Sequence, residues 1–301
     1  MKKKEFVLGT FAGMGIVASL LFLLSNMTNN TALSDSNSQT IYGVELEESY
    51  QFAGEPMDIS QDDIRERLDR ELLLNTFQHS ATLLHLKLAS RYFPMIEDYF
   101  KKEQIPDDMK YLAVAESSLR YAVSPSGAKG LWQFLEGTAK DFGLEVNDYV
   151  DERNHAEKST QAACLYLKQL KERFGSWTMA AAAYNMGPTA LAKSISEQRE
   201  TDYYKMNLSE ETNRYLFRIV AIKQILNHPE KFGFYLKDEE KYQPFSNTKQ
   251  IEIKTTIENL GDFAHSFQMS YRKLKLLNPW LLKSSLPNKT GKSYLFTIEK
   301  E

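Results

Sequence analysis

One cysteine, Cys164, stands among 301 residues, so no disulfide can close within the chain. No C-x-x-C or H-E-x-x-H pattern occurs, and the five histidines (His79, His85, His155, His228, His265) lack the spacing of metal ligands. Each histidine therefore reads as a structural or surface residue, and no metal or other cofactor is expected. An excess of basic charge is missing as well. The net charge is −3, which argues against a nucleic-acid partner. Long uncharged apolar runs are absent except for one, Phe6 to Ser25. No Ala-x-Ala site follows that run, and no cysteine follows it to carry a lipid.

The run itself follows three lysines and, at 1.5 Å per residue, can span a hydrocarbon core of about 30 Å. Residues 1–25 are read as an uncleaved inner-membrane anchor through residues 6–25, with a cleaved signal peptide as the rival reading. The lysines stay cytoplasmic and the remainder is sent outward, into the periplasm of the cell envelope. Residues 26–55 begin as an Asn-, Ser- and Thr-rich stretch without periodicity and are expected to be a flexible linker.

From residue 56 to 235 almost no alternation of period two occurs, and an all-helical domain is expected. Ile64, Leu68 and Leu72 fall at i, i+4 and i+8. Residues 80–106 continue in helical fashion and are expected to be interrupted by Pro94. Ala163, Tyr166, Leu167, Leu170 and Phe174 share one face, and Gly175 stops that helix. The alanine-rich "TMAAAAYNMGP" can pack closely on a neighbour. Residues 249–301 differ. Alternating segments (Ile251, Ile253; Tyr294, Phe296, Ile298) flank two short helical stretches, a strand–helix–helix–strand order expected to form a separate small α+β module.

The segment "YLAVAESSLRYAVSPSGAKGLWQF" carries the chemistry. Met109, Leu112, Ala113 and Glu116 fall on one helical face, and Tyr111, Val114 and Ala115 cover much of the rest. A helical glutamate is ordinarily a solvated surface residue, but Glu116 interrupts an apolar face. Apolar surroundings disfavour the charged form and raise the pKa, which leaves a proton donor available near neutral pH. Ser124 and Gln133 supply hydrogen-bonding groups on the turn that follows, and Trp132 a flat face suited to a sugar ring. Tyr184 and Asn185 end the alanine-rich helix. Glu211 and Tyr215 share a face at the start of another. Taken singly, these are ordinary core, cap and dipole residues.

In combination they are more specific. "AVAESSL", "SPSGAKGLWQF", "AAAYNMG" and "EETNRY", in that order between about Ser60 and Phe234, resemble the lytic transglycosylases with a lysozyme-like SLT domain. The resemblance implies a mainly α, lysozyme-like catalytic domain. It implies a carbon–oxygen lyase that cleaves the MurNAc–GlcNAc bond of peptidoglycan glycan strands without water and leaves 1,6-anhydroMurNAc ends. On it, Glu116 is the single catalytic acid/base, and Ser124, Gln133, Tyr184, Asn185, Glu211 and Tyr215 bind substrate, with Thr212 inside the Glu-Thr…Tyr motif. Many members carry Met at the position of Trp132, which leaves the shape of a neighbouring subsite open. The tail, with "LGDFAHSFQMSYRKLKLLNPW", resembles a divergent LysM glycan-binding module. A goose-type muramidase that hydrolyses the same bond, or a non-catalytic wall-binding protein, are the alternatives.

Overall fold

The structure, a computed structural model, describes residues 43–300. The expected anchor (residues 6–25) and most of the expected linker lie outside the described residues, and no helix among those described is long and apolar enough to cross a membrane.

The helical body opens with a feature that composition hid. Tyr50–Phe52 (β1) and Glu55–Met57 (β2) pair antiparallel around Ala53 and Gly54, both at positive φ as a two-residue hairpin turn requires. Tyr50, Phe52 and Met57 are buried in the main core, so the last residues assigned to the linker are fastened to the body. Two carboxylates complete the fastening. Asp108 accepts from the backbone N–H of Ala53 at 2.7 Å and from the Nζ of buried Lys223 at 2.7 Å. The Glu55 carboxylate accepts from the N–H groups of Trp177 and Thr178 at 2.6 and 2.9 Å. It thereby places an anion at a helix N-terminus, where unpaired donors and the helix dipole favour one.

Eight helices follow: α1 (Asp62–Phe77), α2 (His79–Glu103), α3 (Tyr111–Ser117), α4 (Glu136–Asp141), α5 (Ala156–Phe174), α6 (Trp177–Met186), α7 (Pro188–Gln198) and α8 (Glu210–Asn227). Pro94 does not interrupt α2. A proline costs the helix one backbone bond, and buried Ile96 and Phe100 on its far side hold the helix together across it. α8 is the central element and packs on α1, α3 and α6. Across the α1–α8 contact, wholly buried Glu71 meets Arg214 at 2.6 Å. Ala180–Ala183 of α6 are buried without exception, and their short side chains let backbones approach closely. Cys164 on α5 is buried and free, and burial pushes its thiol up to about 12.

The tail has the expected order: β3 (Thr248–Ile253), α9 (Leu260–Ser266), α10 (Tyr271–Leu277) and β4 (Tyr294–Glu299). The strands pair antiparallel, with Ile251 opposite Phe296 and Ile253 opposite Tyr294. Asn259 and Ser270 cap the two helices. Buried Asn278 ties the end of α10 to β4, donating to the carbonyl of Thr297 at 2.7 Å and accepting from its N–H at 2.8 Å.

The tail is not a separate body, because residues 44–301 form one compact unit. A loop of the helical domain, residues 145–155, reaches into it. Val150 belongs to the module's core and bridges Leu281. The N–H of Asp151 donates to the carbonyl of Trp280 at 2.8 Å, and Leu282 N–H to that of Tyr149 at 2.8 Å. The His155 ring stacks on Trp280 with centroids 6.0 Å apart. Glu145 pairs with Lys292 and accepts from the Tyr294 hydroxyl.

Candidate active site

α3 spans only seven residues, because Met109 sits in a preceding 3-10 turn (Asp107–Lys110). Its face is nonetheless apolar as expected. Tyr111, Leu112, Ala113 and Val114 are buried, and the Tyr111 hydroxyl donates to Asn227 at 2.6 Å. Helix α3 ends on two consecutive residues in the left-handed region, Ser118 (φ 54°) and Leu119 (φ 55°). For non-glycine residues this costs on the order of 1 kcal/mol each. Full burial of Leu119 opposes the cost. The strain therefore begins two residues after Glu116.

Glu116 is half-buried, and its Oε1 accepts from the hydroxyl of wholly buried Tyr215 on α8 at 2.5 Å. Burial raises its pKa to about 7, helped by the negative charge of Glu211 and opposed by the Tyr215 hydrogen bond and by Arg218. Tyr215 stays a donor, since burial and the neighbouring carboxyl hold its hydroxyl well above the ordinary phenol range. Such a carboxyl populates both its acid and its base form near neutral pH, so it can give a proton and take one back in the same cycle.

Tyr184, near the end of α6, donates from its hydroxyl to the carbonyl of Trp132 at 2.6 Å, and the charge of Glu116 acts on it. Asn185 accepts from the Thr212 hydroxyl at 2.8 Å and donates to exposed Glu211 at 3.3 Å. The four motifs thus converge, with α3, α6 and the start of α8 presenting Glu116, Tyr184, Asn185, Glu211 and Tyr215 together.

Ser124 and Gln133 belong to a turn linked by bridges between Val123, Lys129 and Phe134. The Ser124 hydroxyl pairs with that of Ser126 at 2.9 Å and accepts from Ala128 N–H at 3.0 Å, so it braces its own turn and makes no bond to Glu116. Gln133 sits at φ 50° and donates from Nε2 to the carbonyls of Ala122 and Gly130, leaving its Oε1 without a partner among the described residues. Ser117 joins this turn to α3 by donating to the carbonyl of Leu131 at 2.8 Å.

Trp132 corrects an expectation. Its ring is wholly buried in the core beside Phe100, and its Nε1 donates to Thr160 at 3.0 Å. It offers no face to a sugar and shapes the site only through its backbone carbonyl, which holds Tyr184.

Sequence reasoning missed the buried pair behind the turn. Arg153 forks onto Asp151, Nε to Oδ1 at 2.8 Å and Nη2 to Oδ2 at 2.7 Å. Its Nη1 donates to the carbonyls of Gly127 and Phe134 at 3.0 and 3.2 Å. Burial alone would raise the Asp151 carboxyl, but the bonds from Arg153 and Lys129 outweigh it and hold the pKa below the usual value. Gly130 lies so close that a Cβ would sit 1.8 Å from the Arg153 carbonyl oxygen. In the sequence "DERNH" reads as a charged turn, and nothing in its pattern marks the pair. No group of three or more His, Cys, Asp or Glu side chains able to hold a metal gathers among the described residues.

The model of the Transglycosylase SLT domain family matches residues 94–207, the stretch that holds Glu116, Ser124, Gln133, Tyr184 and Asn185. The chain carries an SLT transglycosylase domain. Residues 249–301 match a second family, the soluble lytic transglycosylase C-terminal LysM-like domain. Membrane-bound lytic murein transglycosylase D of Escherichia coli (strain K12) is 26% identical over 297 residues, 96% of this chain and 62% of that protein. The chain thus spans about three fifths of the length of that curated relative. Among solved structures, the 70 kDa soluble lytic transglycosylase of Escherichia coli is 21% identical, over 51% of this chain and 27% of that one, with a TM-score of 0.39. The lytic transglycosylase Slt of Pseudomonas aeruginosa, solved as an inactive mutant, is also 21% identical, over 50% and 26%, with a TM-score of 0.38. Glu211 and Tyr215 fall beyond the matched SLT segment, yet Tyr215 makes the shortest contact to Glu116.

Proposed function

We infer that the protein is a peptidoglycan lytic transglycosylase, with the SLT domain as its catalytic unit. The observation that carries this reading is Glu116, a carboxyl with its pKa raised to about 7 at the meeting point of the SLT motifs. Ordinary glycosidases use two carboxylates. Here one group suffices. Protonated Glu116 gives its proton to the glycosidic oxygen as the bond between MurNAc C1 and that oxygen breaks, and GlcNAc leaves as the alcohol. The Glu116 carboxylate then takes the proton of the MurNAc C6 hydroxyl as its oxygen bonds to C1. This closes the 1,6-anhydro ring and restores the acid without consuming water. The attack is intramolecular and gains the corresponding entropic advantage. Tyr215 aims the carboxyl. Ser124, Gln133, Tyr184, Asn185 and Glu211 line the path of the glycan, where the free Oε1 of Gln133 suits an acetamido N–H. The reaction needs no cofactor.

The LysM-like module is proposed as a glycan-binding unit. The apolar run after three lysines supports attachment to the inner membrane, with the catalytic unit in the periplasm.

The test is mass analysis of muropeptides released from purified sacculi by the wild-type protein and by Glu116→Gln. Anhydro-ended products from wild type and a loss of at least about a thousandfold in the variant are expected, in keeping with removal of a general acid that is also the base. Full activity in the variant would remove Glu116 from its role. Reducing MurNAc ends from wild type would mean hydrolysis instead, the reaction of a goose-type muramidase.

A further inference from the structure

Arg153 fastens the turn that carries Ser124 and Gln133 at two carbonyls, and the loop that bears it is held by the C-terminal module. From the module inward, the carbonyl of Trp280 takes the N–H of Asp151 at 2.8 Å. Asp151, wholly buried, grips the Arg153 guanidinium with both oxygens and Lys129 with one. Arg153 in turn holds the carbonyls of Gly127 and Phe134, one on each side of Gly130. The peptide carbonyl of Arg153 is itself the surface against which Gly130 is pressed. On the module side the same loop is fixed by Val150 in the module's core and by Glu145 on Lys292 and Tyr294.

We propose that Asp151 and Arg153 are positioning residues for the transglycosylase reaction, and that the LysM-like module sets the active-site turn through them, independently of any glycan it binds. The proposal rests on the function inferred above. The physical reason is that buried, fully bonded charge pairs have one geometry. Ser117, Tyr184 and Thr160 hold the turn at Leu131 and Trp132. On its Gly127 and Phe134 carbonyls, however, the Arg153 fork is the side-chain hold, and without it that part of the turn has several geometries. An arginine fork fixes direction as well as charge, which a lysine at the same place cannot do.

The experiment uses the full chain. Arg153→Lys keeps the charge opposite Asp151 and loses the fork. Val150→Ala/Tyr294→Phe loosens the module's grip on the loop and leaves both cores otherwise filled. Each is assayed on a soluble glycan of two disaccharide repeats and on sacculi, alongside hydrogen exchange without substrate at the amides of Ser124, Lys129 and Gly130. Misplacement by ~1 Å costs on the order of a hundredfold in rate, so both variants should lose about tenfold or more in kcat on the short glycan with KM within about twofold. Exchange at the three amides should accelerate, while amides of α8 stay as in wild type. Unchanged exchange and unchanged kcat in either variant would overturn the proposal. So would a loss confined to sacculi, which would reduce the module to a binder. If the wild type turns over no glycan at all, the function reading falls, and the exchange measurement still decides whether the module orders the turn.

Discussion

Glu116 owes its chemistry to a balance of burial and three neighbours. Burial and the Glu211 charge push its pKa up, and Tyr215 and Arg218 pull it down, for a result of about 7. The group must be protonated to start the proposed reaction, so the rate should be full below that value and fall as pH rises through it. Removing the Tyr215 hydroxyl withdraws a bond that favours the carboxylate. The alkaline limb of the pH–rate profile of Tyr215→Phe should therefore lie at higher pH than in wild type, and a limb that stays or moves down would contradict the assigned donor. At this scale the sequence was legible where chemistry is local. A carboxyl on an apolar face stands out by itself. Trp132 was misread because an aromatic residue beside a glycine turn reads alike whether it faces solvent or core, and only the Thr160 and Phe100 contacts decide.

At the scale of elements, the turn from Ala122 to Phe134 depends on one missing side chain. Gly130 has φ +81° and no room beyond its Cα, since the Arg153 carbonyl would lie 1.8 Å from an added Cβ. Gly130→Ala should cost about 2–4 kcal/mol of stability, combining backbone strain with a forced shift of the buried loop. Chemical denaturation measures it, and a change below about 0.5 kcal/mol, the size of an ordinary surface substitution, would show that the loop yields freely. Long helices and the tail's strand–helix–helix–strand order were readable because periodicity accumulates over many residues. The hairpin of β1 and β2 was not, because each strand has three residues, too few for a pattern. Nor was the persistence of α2 through Pro94, which tertiary packing imposes.

Across the whole molecule, two cores meet at residues 145–155. Sequence reading separates them at the polar stretch 236–248, and composition gives no sign that Val150 belongs with Leu274 and Phe296. Because one loop is buried in both, helical body and module should melt in a single cooperative transition, with calorimetric and van't Hoff enthalpies equal. Two resolved transitions would mean that the loop leaves the module at little cost.

The burial of Cys164 has a practical side. The only thiol in the chain is inaccessible and held in its neutral form, so the natural protein already behaves as a cysteine-free background. Thiols introduced at exposed Val123 on the turn and exposed Leu295 on β4 would be the sole targets of a maleimide dye. A fluorescent pair at those sites would report, molecule by molecule, the distance between the turn and the module while a glycan is being processed.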